Sequence, residues 1–311
     1  MLDRQLSEQL DAVWGDPATW TSHGLQWTHL PAVRARIQQR VTGDAAQDLL
    51  AWFARHVGGA ARLPFGRVLV LGCGEGRIER ELVRQGIARE VLAFDLSAKV
   101  LEEARGRAPA GSPITYAQAD MNALPVGTPP FEAGSFDAAF GVSSIHHCAD
   151  LDGLFGALRR LLVPGGWLFA DEYVGPDRFQ FTASHMRHAE RLAALLPPAR
   201  MTTRTGAVRR GFRAPSVDEV VALDASEAVH SADIAAALAR HFRIERWRPY
   251  GGALLHVLLA DVAQNFEDEE GRAWLGAVMR AEDDLQAQGL LEDHFACAIA
   301  WAPEVSGSTA A

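Results

Sequence analysis

Cysteine is scarce in this chain. There are three, Cys73, Cys148 and Cys297, far apart and without a Cys-x-x-Cys pair. That argues against a zinc ribbon or a disulfide framework and makes a reducing cytoplasm the expected compartment. Long apolar runs are also missing. The longest, such as Ala253 to Ala260 with His256 inside it, fall far short of a bilayer span, and no membrane partner is expected. Residues 1–10 carry Asp3, Arg4 and Glu8 and no apolar centre, so no secretory signal is expected there. Positive charge is in deficit. The formal net charge is -9, which repels phosphate, and nucleic acid is not an expected partner. The Arg-rich stretch 200–213 is a local exception, read as a solvated face.

What is present suffices for one large domain with additions, or for two: 311 residues, 48% of them hydrophobic. Residues 1–60 read as a helical N-terminal extension. In "LPAVRARIQQRV" the apolar residues fall at 30, 33, 37 and 41, a helical spacing, and Asp44 is a candidate N-cap for the helix that follows. Residues 61–174 alternate between short apolar runs (67–71, 91–95, 114–118, 136–141, 166–171) and helical segments (76–85, 97–107, 151–162). The runs are apolar throughout, as in strands buried on both faces of a parallel sheet, and a doubly wound α/β topology follows. Residues 175–241, with Pro197-Pro198, Pro215 and short Ala-rich segments, read as a lid insertion. Residues 242–303 supply the final strands around a helical insertion, and the tail 304–311 is expected to be disordered.

The segment "VLVLGCGEGRIERELVRQG" (68–86) turns a strand into a helix through Gly72, Gly74 and Gly76. Glycines allow backbone conformations closed to other residues, and the helix start offers free amides and a positive dipole end. Asp95 ends the next strand, 19 residues beyond Gly76. A carboxylate there can accept both hydroxyl hydrogens of a ribose, which dinucleotides and S-adenosylmethionine share. The alternative for Asp95 is a helix cap. The spacing Gly-x-Gly-x-Gly differs from the dinucleotide fingerprint, and Asp120 stands at the third strand's end, where it can accept from an adenine amino group.

In order, "VLVLGCGEG", "AFDLS", "QADMNALP", "FDAAFGVSSIHH" and "LRRLLVPGGWL" give residues 67–172 the look of a class I S-adenosylmethionine-dependent methyltransferase core. The flanks "EYVGPDRFQF" and "YGGALLHVLLADVAQNF" resemble a bacterial small-molecule and glycan subgroup. The resemblance implies a Rossmann-like seven-stranded sheet with an antiparallel last strand, with the N-terminal helices and the segments 175–240 and 253–290 forming a lid. It implies that Gly72, Cys73, Gly74 and Gly76 border the methionine part of the cofactor. Asp95 would hold the ribose, Leu96 would pack on the adenine, Asp120 would meet its amino group, Met121 would cover the ring, and Val142 would complete the site.

Methyl transfer would occur at the fourth strand's end, in "GVSSIHHCAD". No Asn/Asp-Pro-Pro-Tyr/Phe motif is present, which points away from nucleic-acid and many protein acceptors. His147 and His146 are the candidate bases there, and Glu172 is a further one. Each has a packing or pairing role as its alternative. Tyr173, Arg178 and Phe179 are candidates to line the substrate pocket. His185 and His188 share a helical face but lack a third ligand, and no metal is expected. Arg40 is a candidate partner for the cofactor's carboxylate. The expected function is methylation of an oxygen, or a nitrogen, of a small metabolite or sugar, by a chain that can pair as a homodimer. Two alternatives stand beside it: a methyltransferase-like fold that does not transfer methyl, and an NAD-dependent oxidoreductase. Against the second, none of Tyr116, Tyr173 and Tyr250 is followed by Lys four positions on.

Overall fold

The structure, a computed structural model, describes residues 4–14, 25–58 and 63–303. The tail 304–311, for which disorder is expected, lies outside them. Seven strands, β1 (Phe65–Leu71), β2 (Ala88–Asp95), β3 (Ile114–Gln118), β4 (Phe136–Val142), β5 (Leu162–Tyr173), β6 (Arg243–Gly251) and β7 (Phe295–Trp301), form one sheet. Its order is β3-β2-β1-β4-β5-β7-β6. The first five pair in parallel, and β7 runs antiparallel to β5 and β6.

Alternate residues of β1 feed opposite cores. Val68 and Val70 join the cluster on one face, Leu69 and Leu71 the cluster on the other. All four are essentially inaccessible, each stabilising the fold by roughly 1.5–3 kcal/mol. This two-sided burial is why the strand reads as an unbroken apolar run. Edge strands behave differently. On β6, Arg243, Glu245, Arg246 and Arg248 face solvent or nearly so, and such charges discourage pairing with another chain.

The N-terminal helices are α1 (Arg4–Val13), α2 (Pro31–Thr42) and α3 (Leu49–Gly58), and the crossovers carry α4 (Arg77–Arg84), α5 (Ala98–Arg107) and α6 (Leu151–Leu161). The segment after β5 holds α7 (Ala183–Leu195), α8 (Val217–Leu223) and α9 (Ile234–His241), and α10 (Ala253–Leu259) and α11 (Glu269–Ala287) lie between β6 and β7. Side chains cap several starts. Ser97 accepts from the Val100 amide before α5, and Asp150 from the Gly153 amide before α6. Such caps contribute about 1 kcal/mol each. Helix α4 instead starts at Gly76 with no side-chain cap, which leaves its first amides free at the sheet's carboxyl end.

Three local expectations change. Asp48, not Asp44, caps α3, accepting from the Leu50 and Ala51 amides at 2.9 and 3.1 Å. Arg200 is buried rather than solvated, because Asp268, Glu270 and the Asn265 carbonyl surround its guanidinium. His185 is buried as well, its Nε2 2.8 Å from the Ala253 carbonyl oxygen. It ties α7 to α10 and does not share a solvated face with His188.

Candidate active site

In an open α/β sheet the ligand crevice lies beyond the strands' carboxyl ends, where the order reverses. Here that point is between β1 and β4, and a cavity of about 340 Å³ opens there. Its floor is the turn after β1. Gly72 has φ 52°, and a Cβ on it would lie 2.8 Å from the Ser144 Cβ, so only glycine fits. Gly74 has φ 54° and open space where its Cβ would be. Bare backbone therefore faces the cavity at that residue.

Two acidic strand ends flank this floor. Asp95 Oδ2 accepts from the Gly74 amide at 3.0 Å and Oδ1 from the Ser97 amide at 2.9 Å. A carboxylate has about four acceptor sites, so lone pairs remain for two hydroxyl hydrogens. Because Ser97 is the cap of α5, Asp95 is left to hold the turn and face the cavity. Burial raises its pKa, and the Ser97 and Gly74 amides oppose that rise. Asp120 Oδ1 accepts from the Asn122 backbone and side-chain amides at 2.8 and 3.0 Å. Leu96, Met121, Val142 and Cys73 also line the cavity.

Helix α1 supplies the roof through Leu6, Leu10 and Trp14. It is fastened on both sides. Ser7 donates to the Leu96 carbonyl at 3.1 Å, and Asp11 accepts from the Ser97 hydroxyl at 2.5 Å. On the other side Gln9 donates to the Val221 carbonyl at 3.0 Å, and the Trp14 indole donates to Asp224 at 2.9 Å. Arg40 is not part of this roof. Its guanidinium pairs with Asp283 and Gln286, which removes it from the cofactor's carboxylate.

At the far wall stand His147 and Ser226. His147 Nδ1 lies 2.9 Å from the Ser226 hydroxyl, which donates to Asp224 at 2.6 Å. His146 lies behind it, ring centroids 4.4 Å apart, with Nδ1 2.8 Å from Glu172. Burial lowers the His147 pKa, and the adjacent His146 adds to that. Burial also works against protonation of His146, but Glu172, Glu227 and Asp224 outweigh it and its pKa is raised.

Glu172 does not face an acceptor. It is buried, and it accepts from the Ser144 and Ile145 amides at 2.9 and 2.8 Å as well as bonding His146. It positions the β4 loop and the imidazole rather than serving as a free base. Its neighbours on β5 point the other way, as strand alternation requires. Asp171 accepts from the Tyr250 hydroxyl at 2.7 Å, and burial raises its pKa to about 6. Tyr173 is buried and donates to the Pro176 carbonyl at 2.9 Å. Phe179 packs on Tyr173 and His256, and Arg178 donates to the Glu227 carbonyl at 2.8 Å. These three expected substrate residues lie outside the cavity wall, because their side chains are spent on packing and on pinning the 224–229 loop.

The N-terminal helices were expected to help form a lid, but Leu6, Leu10 and Trp14 were not singled out, although they recur at four-residue intervals and share one helical face. Sequence reasoning also missed Asp224, Ser226 and Glu227, for which the sequence carries no signal; only the lid's fold brings them to the histidines.

The fold is a Rossmann-like seven-stranded α/β sheet with helical extensions, and part of the chain within it is similar to S-adenosylmethionine-dependent methyltransferases. Residues 69–170 match the family model described as a methyltransferase domain. Among curated proteins the chain is 40% identical over 111 residues to a malonyl-[acyl-carrier protein] O-methyltransferase of Enterobacter lignolyticus, covering 35% of this chain and 40% of that protein. It is 30% identical over 148 residues to a demethylmenaquinone methyltransferase of Thermus thermophilus, covering 47% and 65% respectively. The chain thus spans about two fifths of the length of the malonyl-[acyl-carrier protein] O-methyltransferases it matches. Among solved structures, a Haemonchus contortus phosphoethanolamine N-methyltransferase 2 superposes with a TM-score of 0.54 at 19% identity, covering 96% of this chain and 60% of that one. That likeness concerns the fold alone.

The cavity fits the cofactor on its own geometry. Uncapped α4 amides and the open face of Gly74 suit the methionine end. Asp95 suits the ribose, the free Asp120 oxygen suits an adenine amino group, and Leu96 and Met121 supply apolar cover.

Proposed function

We propose that this protein transfers a methyl group from S-adenosylmethionine to an oxygen, or a nitrogen, of a small molecule. One observation carries the reading: a roofed cavity combines a bare glycine turn, two acidic strand ends and, on its far wall, an imidazole. The cofactor supplies a methyl group on a sulfonium, already a strong electrophile. What remains for the chain is to align the acceptor, exclude water and handle the acceptor's proton. Helix α1 and the loop 224–229 enclose the site, which favours a small acceptor over a macromolecule. His147 stands on the cavity's far wall with its Nδ1 held by Ser226, which supports it as the group that handles the acceptor's proton. Glu172 fixes the loop that carries it. An O-methyltransferase among the relatives supports oxygen as the first choice.

The test is a mass-spectrometric screen of metabolite extracts incubated with the protein and S-adenosylmethionine. A metabolite that gains one methyl group while S-adenosylhomocysteine accumulates is the expected outcome. Failure to form S-adenosylhomocysteine beyond the background of a Gly74→Val variant across extracts of broad composition would contradict it.

A further inference from the structure

The two histidines at the rim converge with a third residue. His146 Nε2 lies 3.5 Å from one carboxylate oxygen of Glu227, and His147 Nε2 lies 3.9 Å from the other. The three groups offer ligand atoms that all lie within 4.8 Å of one another. These separations exceed a direct hydrogen bond, and neither Nε2 has a hydrogen-bond partner among the described residues. His146 is 8% exposed, and its Nε2 faces the Glu227 carboxylate. Four-coordinate sites with metal–ligand bonds near 2.0–2.1 Å place donor atoms about 3.3 Å apart, against 3.5 and 3.9 Å from the two imidazole nitrogens to Glu227 here.

The surroundings are those of a built site. Metal-binding imidazoles are oriented through their other ring nitrogen, most often by a carboxylate. Here His146 Nδ1 meets Glu172 at 2.8 Å, and His147 Nδ1 meets Ser226, itself bonded to Asp224. Glu227 is held by its backbone, whose carbonyl accepts from Arg178 and whose amide donates to the Asp224 carbonyl at 3.2 Å. The adjacent Val229 amide donates to the His146 carbonyl at 3.2 Å.

We infer that His146 Nε2, His147 Nε2 and the Glu227 carboxylate form a binding site for a divalent first-row transition-metal cation of the zinc(II) type. Two imidazoles with one carboxylate suit such ions better than magnesium, which prefers oxygen donors and retains water. Three protein ligands leave a coordination position open, and since His147, one of the three, belongs to the cavity wall, the site adjoins the acceptor side. A cation there would take the place of His147 as the group that activates the acceptor: it would hold and polarise a hydroxyl, whose proton leaves to solvent as the C–O bond forms and the C–S bond breaks. This catalytic role rests on the methyltransferase reading; the binding of the cation does not.

The test uses the full chain, stripped with a chelator and titrated with cobalt(II), followed by visible absorption, with zinc(II) as competitor. S-Adenosylhomocysteine binding is measured on each form. The wild type should take up one cobalt per chain, with the intense bands of a low-coordinate site, and zinc should abolish them. Glu227→Gln and His147→Ala should weaken cobalt binding by more than the roughly 10- to 100-fold that loss of an orienting partner costs, and Ser226→Ala should fall within that range. No low-coordinate cobalt signal in the wild type, or equal affinity in wild type, Glu227→Gln and His147→Ala, overturns the site. Should both ligand variants misfold, Ser226→Ala decides, since it keeps all three ligands: wild-type affinity there overturns the arrangement. Cobalt binding with this pattern but no S-adenosylhomocysteine binding in any form leaves the metal site standing and removes the methyltransferase reading.

Discussion

The indole of Trp14 donates a hydrogen bond to Asp224 at 2.9 Å, and this contact joins the roof of the cofactor cavity to the rim that carries the histidines. Trp14 also meets His147 edge-on, with ring centroids 6.3 Å apart. Closing the first helix and ordering the acceptor side are therefore linked by one side chain.

Trp14→Phe keeps an aromatic ring and loses this bond. Hydrogen bonds to charged groups contribute about 1.5–3 kcal/mol, so the dissociation constant for S-adenosylhomocysteine should rise by roughly tenfold or more. Titration calorimetry measures it. An unchanged constant would mean that the latch does not hold the roof.

Asp95→Ala removes the acceptor placed for the ribose and the anchor of the Gly74 amide. Cofactor affinity should fall by roughly tenfold to a hundredfold. A thermal melt run alongside separates this from unfolding. Undiminished affinity would reassign Asp95 to the turn alone.

His147→Ala should lower turnover about a hundredfold or more while leaving S-adenosylhomocysteine affinity within a few-fold of wild type. Steady-state kinetics with the acceptor found by the extract screen, together with calorimetry, read the two effects apart. Unchanged turnover would remove His147 from the chemistry.

Glu79 on α4 is wholly buried, and burial raises its pKa from the ordinary 4.5 to about 7. The folded state thus holds this proton more tightly than the unfolded chain. Its contribution is fully present below about pH 4.5, declines above that and is lost as the pH passes about 7. Glu79→Gln, which stays neutral, should stabilise the protein at pH 8–9 by about 1–3 kcal/mol relative to wild type and change little near pH 4. Denaturant melts at both ends of the range check the sign. A larger gain at low pH would contradict it.

The parallel half of the sheet was legible because β1, β2 and β4 are buried on both faces, which leaves unbroken apolar runs between helical stretches. The cofactor floor was legible for a related reason. Gly72 and Gly74 are required by backbone conformation, and Asp95 ends its strand at a fixed place, so local sequence carries the signal. The acceptor side was not. His146 and His147 were visible as residues, but their partners Asp224, Ser226 and Glu227 come from a lid whose path no local pattern fixes. Burial reversed the reading of Arg200 and His185, since a charged or polar residue looks solvated until its partners are placed. Along β5, alternation decides which of Asp171 and Glu172 bonds the His146 imidazole, and the sequence leaves that phase open.

The central claim is that the crevice beyond β1 and β2 binds an adenosyl sulfonium, and titration calorimetry of the purified protein tests it most directly. S-Adenosylmethionine and S-adenosylhomocysteine should each bind at one per chain, Gly74→Val should abolish both, and NAD should give no heat. Silence with both adenosyl ligands, or binding that Gly74→Val leaves intact, would contradict it.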